Sequence, residues 1–239
     1  MTIFYDAVST TLRSFYDRHI ATPPILDRDR YFPDHVVFEN NWREMREECL
    51  KLMRDMALVP HFHEVMPEQR PLSEHGAKFW RLLVLRAYGV DHPDNQAKCP
   101  FTAALFRGNE AIRSVAISFL EAKKHIPPHR GLFRGVLRYH LGLVIPLNAD
   151  GSSTNRLRVD GVTHELYEGK GMLWDDTYVH EAWNDSESVR AVLLVDIVRP
   201  DMPRLLTALN NAILSLLRLW IALRYPKSWN LPRNFFRRF

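Results

Sequence analysis

The 239-residue chain reads as a mainly β protein with flanking helices, built as a sandwich or jelly roll, on three observations. From Ile112 to Val198 short apolar stretches alternate with Gly, Pro and Asn, the pattern of many short strands in one all-β unit. Asp150-Gly151 and Asp160-Gly161 fall between such stretches and are turn dipeptides of the kind that join antiparallel strands. On either side the apolar spacing changes to that of helices. Three regions follow. Residues 1–110 form a helical and loop region packing on the core, 111–200 the β core, and 201–239 an amphipathic helix with a basic aromatic tail.

In chain order, Phe4, Val8, Leu12 and Tyr16 recur at a turn's spacing and predict a helix over 3–20. Residues 21–38, rich in Pro and Asp, read as an irregular connector. Asn41 to Met56 is a strong helix with Trp42, Met45, Cys49 and Met53 on one face. Residues 57–78 read as loop, 79–87 as a short apolar strand, and Cys99 to Glu110 as a helix. Strands are expected at Val115–Leu120, Val136–Ile145, Arg156–Val159, Thr163–Tyr167, Gly171–Trp174 and Val189–Val195. Past Arg199-Pro200, Leu205–Leu223 is helical, with Leu206, Leu209, Ile213, Leu216 or Leu217, Trp220 and Leu223 on one stripe and Asn210 and Asn211 off it.

A composition of 46% hydrophobic and 25% charged residues suits one globular domain with helical additions. The net charge of +4 comes without a basic run interleaved with aromatics in the central region, so no nucleic-acid partner is expected. Cys49 and Cys99 have neither metal-type spacing nor a disulfide framework, and Met1 to Arg18 lacks the features of a signal peptide. A cytoplasmic location is expected. The helix at 205–223 contains Arg218 and two asparagines, which argues against a membrane span. It either packs on the β core or lies at a membrane surface, with Trp220, Tyr225, Trp229 and the Phe/Arg end at headgroup level. The second reading makes 205–239 a peripheral contact on the inner face of a membrane.

The chemistry-bearing residues are His129, His180 and, ten residues later, Arg190. Two imidazoles can hold Fe(II) and leave positions for oxygen and a cosubstrate. Arg138 and Arg190 each sit in a largely apolar strand, where a buried cation needs a partner. A small dicarboxylate such as 2-oxoglutarate would be one, gripped by the planar guanidinium fork; an ion pair with a neighbour such as Asp196 is the other. Ser118 could add a hydroxyl donor; His140 is a third candidate ligand, but its place in the alternating strand Leu137 to Leu141 favours a position facing the cosubstrate. Two after His129, where a carboxylate would complete a metal triad, stands Gly131. The site then works with two protein ligands plus water, or an acid reaches in from elsewhere. Trp174, Trp183 and Tyr139 read as core or pocket wall. Asp175 and Asp176 read as turn residues, one of which could order the second histidine.

The blocks His129-Arg130-Gly131, Leu137-Arg138-Tyr139-His140-Leu141-Gly142-Leu143, Trp174 to Asn184 and Arg190 to Asp196 resemble the aspartyl/asparaginyl β-hydroxylase family over about residues 95–200. Trp42 to Glu48 and Cys99 to Thr102 extend the likeness more loosely to about residue 40. The resemblance implies a double-stranded β-helix (jelly roll, cupin-like) core and an Fe(II)/2-oxoglutarate dioxygenase that uses O2. It implies iron on His129 and His180, the oxalyl end of 2-oxoglutarate on Arg138 and His140, and its distal carboxylate on Arg190 and Ser118. Family members proper carry glycine where the third ligand would be, as Gly131 does here, which favours two-histidine ligation. The implied reaction is hydroxylation of an unactivated C–H of a peptidyl or free aspartyl/asparaginyl-type substrate. A related branch hydroxylates acyl chains of lipid A and shares the 137–143 block and the N-terminal helix, but tends to have aspartate at the Gly131 position. It supplies the alternative of an acyl-chain hydroxylase at a membrane surface. A non-catalytic jelly-roll binding module is the alternative of another class, and the presence of both histidines and both arginines argues against it.

Overall fold

The computed structural model describes residues 3–224, except Ala77 and Leu132. Its strands are β1 (Ile25–Leu26), β2 (Trp80–Ala87), β3 (Val90–Asp91), β4 (Ile112–Leu120), β5 (Lys124–His129), β6 (Val136–Val144), β7 (Asn155–Val159), β8 (Val162–Glu165), β9 (Gly171–Trp174), β10 (His180–Asn184) and β11 (Arg190–Val198). They form a seven-stranded sheet in the order β1-β9-β6-β11-β4-β2-β3 and a four-stranded sheet in the order β5-β10-β7-β8. From β4 to β11 the chain alternates between the sheets, apart from the β7–β8 hairpin within the small one, giving the double-stranded β-helix. The helices are α1 (Ile3–Asp17), α2 (Arg28–Tyr31), α3 (His35–Asn40), α4 (Trp42–Met53), α5 (Phe62–Val65), α6 (Arg70–Glu74), α7 (Pro93–Gln96), α8 (Pro100–Phe106) and α9 (Arg204–Arg224).

The large sheet is covered on both faces, which is why its central strands are nearly continuous apolar runs. One face presents Leu83, Leu85, Val115, Ile117, Phe119, Leu137, Tyr139, Leu141, Leu193 and Val195, which pack with Phe38, Met45, Cys49 and Phe106 of the helical layer. Alternate residues, Trp80, Leu82, Val84, Ala116, Leu120 and Val192, face Ile126, Leu157, Val159 and Ala182 of the small sheet. Two sequence blocks singled out above meet in the helical layer. The Glu48 carboxylate of α4 accepts Phe101 N (2.7 Å), Thr102 N (3.0 Å) and Thr102 Oγ1 (2.6 Å) at the start of α8, so a buried charge is satisfied by otherwise unpaired helix donors.

The sheet reaches beyond the expected core. β1, β2 and β3 come from residues before 111, so position 110 is no boundary of the sheet. The connector 21–38 holds β1, α2 and α3, and the loop 57–78 holds α5 and α6. Asp160-Gly161, with φ of +48° and +83°, joins paired strands β7 and β8 as a two-residue turn with both centres left-handed. Asp150-Gly151 is also a turn, but it connects strands of different sheets, β6 and β7. β5 and β10 escape the sequence pattern because Lys124–His129 carries two prolines and His180–Asn184 is mostly polar.

The helix expected at 205–223 is present as α9, rotated from the predicted stripe. It buries Leu206, Asn210, Leu214 and Ile221. Asn210 donates to Gly135 O (2.9 Å) and accepts from Tyr16 of α1 (3.0 Å), a satisfied polar pair that a hydrophobic count places outside. Leu209, Leu216 and Leu223 face solvent. No helix among the described residues is long and apolar enough to cross a membrane. The expected aromatic and basic contacts at Tyr225, Trp229 and beyond lie outside the described residues.

Candidate active site

His129 ends β5 and His180 begins β10, and the antiparallel register sets them directly opposite each other. Cross-strand neighbours of this kind bring side chains together. The two rings lie 4.0 Å apart between centroids, within reach of one ion bonded to each nitrogen at about 2 Å. His129 Nδ1 donates to Pro127 O (2.8 Å) and His180 Nδ1 to Tyr178 O (2.9 Å). Each carbonyl sits two residues before its histidine. These bonds fix the proton on Nδ1 and leave Nε2 basic, as a metal ligand requires. Neither the Asp175 nor the Asp176 carboxylate bonds the His180 ring, the role the sequence offered one of them; backbone groups of Tyr178 and Asp176 hold it instead.

Behind the histidines lies a set of buried polar groups without partners: Arg190 Nε and Nη1, His140 Nδ1 and Trp174 Nε1. They come from β11, β6 and β9, adjacent in the large sheet. Trp174 stands edge-on to both His140 (5.1 Å) and His180 (4.7 Å), linking the histidine pair to the inner wall. Arg190 is 2% exposed, and burial drops its pKa to about 10. A buried guanidinium with open donors is costly and rare unless a ligand completes it. Ser118 lies diagonally across from it, since Arg190 opposes Leu120 and Val192 opposes Ser118. Ser118 Oγ accepts from Trp80 Nε1 (2.9 Å), which leaves its hydroxyl proton to give.

Arg138 differs from the sequence expectation. Its Nε and Nη2 bind Asp196 at 2.7 and 3.0 Å, and its Nη1 lies 3.0 Å from Asp176. With two carboxylates on its fork, it is a partnered cation rather than one awaiting a cosubstrate. The sequence named Asp196 as the competing partner, and the cross-strand register of β6 on β11 pairs the two residues. His140 remains on the inner face, held well below the ordinary imidazole range by burial first and by Arg138, Arg190 and His180 next.

Asp176 is the residue whose placement sequence reasoning missed. A Cβ on Gly131 would stand 2.2 Å from its Oδ1, so its carboxylate fills the space a side chain at 131 would need. Gly131 N also donates to Asp176 O (2.7 Å). Burial raises the Asp176 carboxyl to about 6. Among the described residues no three His, Cys, Asp or Glu side chains are grouped to hold a metal. The only advance signal was Gly131 itself: a missing side chain invites a neighbour into its place.

A buried ion cluster braces this loop. Asp175, fully buried, accepts from Arg134 Nε (2.8 Å), Thr177 Oγ1 (2.6 Å) and Arg199, whose side chain is also fully buried. Arg130 Nε donates to Thr177 O. The segment 175–179 is therefore tied to 130–134, and His180 to the strand of His129.

Burial holds His129 and His92 down to about 4 and His180 well below its ordinary value of 6.5. Below 6.5 the unfolded chain binds protons that these folded rings refuse, so stability falls as pH drops toward 4. Asp176 acts oppositely between 3.8 and about 6, one group against these three and against His61, His63 and His140, which are also held below 6.5. The expected loss is on the order of 1–2 kcal/mol for each of His129 and His92 by about pH 5. Calorimetry across this window should show a falling Tm; a flat or rising Tm would contradict it.

Comparison with known proteins agrees with this construction. The family model for Aspartyl/Asparaginyl beta-hydroxylase matches residues 39–200. The chain is 33% identical over 181 residues to an ornithine lipid ester-linked acyl 2-hydroxylase of Rhizobium tropici, covering 76% of this chain and 62% of the relative. It is 31% identical over 169 residues to the aspartyl/asparaginyl beta-hydroxylase of Mus musculus, covering 69% and 21%. It is 27% identical over 197 residues to aspartate beta-hydroxylase domain-containing protein 2 of Xenopus tropicalis, covering 79% and 50%. The chain thus spans less than two thirds of each of these relatives. With the fold, the opposed histidines and this match in hand, the chain belongs to the aspartyl/asparaginyl β-hydroxylase family.

Proposed function

We propose that the protein is an Fe(II)- and 2-oxoglutarate-dependent hydroxylase. The observation that carries this reading is the pairing of two opposed imidazoles, each with Nδ1 tied to a carbonyl, with a buried arginine whose donors are open. The donor set fits both groups: neutral imidazole suits iron, and a guanidinium fork in a dry site suits a carboxylate. Iron with 2-oxoglutarate and O2 supplies, when bound, the oxidising power that converts C–H to C–OH, with succinate and carbon dioxide as the other products.

The chain's own residues do the positioning. His129 and His180 would hold the iron. Arg190 would take the distal carboxylate of 2-oxoglutarate, with the Ser118 hydroxyl as a second donor. His140 and Trp174 offer N–H groups to the same ligand from the inner wall, in the dry space where such bonds are strongest. Arg138 would act on the site's edge while keeping Asp176 and Asp196 in place. The apolar residues between the sheets exclude water and competing reactions.

For the substrate, the acyl chain of a lipid is the reading we favour, supported by the lipid hydroxylase relative and by the apolar outer face of α9. Gly131, where the lipid branch tends to carry aspartate, counts against this reading; the Asp176 carboxylate fills the space beside it here. An aspartyl or asparaginyl side chain is the second reading, supported by the mouse relative.

The protein supplied with Fe(II), ascorbate and 2-oxoglutarate should release succinate and add one oxygen to an acyl chain of a lipid extract. Oxygen added instead to an Asp- or Asn-containing peptide would select the second reading. No succinate with any substrate would return the chain to the binding-module alternative. Arg190→Met should raise the 2-oxoglutarate concentration for half-maximal turnover about 100-fold, the cost of losing a buried charged partner. It should leave the Tm of the ligand-free protein unchanged or higher, because an unpaired buried charge is removed. An unchanged 2-oxoglutarate requirement would remove Arg190 from the site.

A further inference from the structure

The outer face of α9 is an exposed apolar feature that the proposed chemistry does not use. Leu205, Leu209, Leu216, Leu219 and Leu223 lie on it at helical spacing, with Leu205 at 86%, Leu216 at 67% and Leu223 at 73% exposure. The stripe runs for about 27 Å at 1.5 Å per residue. The opposite face of the same helix is fully used, through Leu206, Asn210, Leu214 and Ile221. α9 is therefore apolar on two sides and buries only one. Contiguous exposed apolar surface of this extent marks an interaction site.

Charge says what covers it. From Met202 to Phe239 the sequence has no Asp or Glu and seven cations: Arg204, Arg218, Arg224, Lys227, Arg233, Arg237 and Arg238. The whole chain carries +4, so this segment holds +7 and the remainder is −3. A second copy meeting this face would set two such cationic segments against each other, which disfavours the pairing. An anionic lipid surface answers both features, taking leucine side chains into the acyl boundary and cations at the headgroups.

We propose that the outer face of α9 docks the protein on a bilayer containing anionic lipid, lying in the surface without crossing it. Asn210 bonds the inner face of α9 to Gly135, and Arg13 of α1 bonds Gly131 O (3.0 Å), two residues past His129. The docked helix thus adjoins the segment leading from a candidate iron ligand, and a membrane-borne substrate would be presented on that side. The docking surface goes beyond the proposed chemistry and stands whatever the substrate of the site.

The test is co-sedimentation of the full chain with vesicles, without iron or 2-oxoglutarate, so that an inactive site does not affect the readout. Vesicles of equal parts phosphatidylcholine and phosphatidylglycerol should bind at least about tenfold more protein than phosphatidylcholine alone, less so in high salt. The triple variant Leu205→Gln, Leu216→Gln, Leu223→Gln changes only exposed positions and should fold with the parent's Tm. It should lose about tenfold in binding to the anionic vesicles. Three results would overturn the proposal: no binding by the parent, equal binding by the variant, or a parent dimer that the variant dissociates, which would make a second copy the occupant.

Discussion

His129→Ala and His180→Ala are each expected to abolish succinate release, by at least about 1000-fold or ~4 kcal/mol of transition-state stabilisation. Two imidazoles are the candidate metal donors the site brings together. With no third His, Cys, Asp or Glu grouped beside them among the described residues, loss of one leaves the ion held by a single side chain. Both variants should fold, since each removes a ring that burial keeps neutral. Trp174 stands 4.7 Å from the His180 ring, so iron titration can be followed by its fluorescence quenching. The parent should quench with a saturable curve and both variants should not. Normal turnover, or unaltered quenching, in either variant would refute the metal site.

Asp175→Ala is expected to be the most destabilising single change in the molecule. It removes the anion shared by Arg134 and Arg199, both buried. Breaking a buried pair from one side costs about 3–5 kcal/mol because the remaining charge loses its compensation; here two guanidiniums lose their shared buried anion and keep only the more exposed Asp17 (2.9 Å from Arg134) and Asp201 (3.5 Å from Arg199). For a chain of this size that lowers Tm by roughly 10–15 °C. The same carboxylate accepts Thr177 N (3.1 Å) and Thr177 Oγ1, so the loop carrying His180 should loosen as well. Metal affinity should fall with stability, whereas Asp175→Asn, which keeps the shape and two acceptor lone pairs, should recover part of each. Thermal unfolding and iron titration of the two variants check this, and a Tm within a few degrees of the parent for Asp175→Ala would contradict it.

Much of the fold was legible because its strands are buried on one or both faces and its helices show one dominant stripe. β4, β6, β9 and β11 stand at nearly the expected positions because apolar runs bounded by Gly, Pro or Asn have few other solutions. The strands that carry the histidines were among those that went unread. β5 and β10 have prolines and charged side chains where a strand pattern needs apolar alternation, and they are held by pairing with neighbours distant in sequence. In α9 the stripe was mistaken for the packed face, because leucines lie on both sides and a buried asparagine marks the inner one.

The residue types of the site were set by sequence alone: two histidines within the strand-rich half, an arginine ten residues after the second, and a glycine where an acid would stand. Sequence could not tell the two strand arginines apart. Tertiary structure did, by giving Arg138 two carboxylates and Arg190 none. It also placed Asp176 in the space Gly131 leaves and the two imidazoles on one cross-strand pair. The reason is physical: composition and spacing report which faces are apolar, but the partner of a buried charge is chosen by register between strands far apart in the chain, and only the folded sheets fix that register.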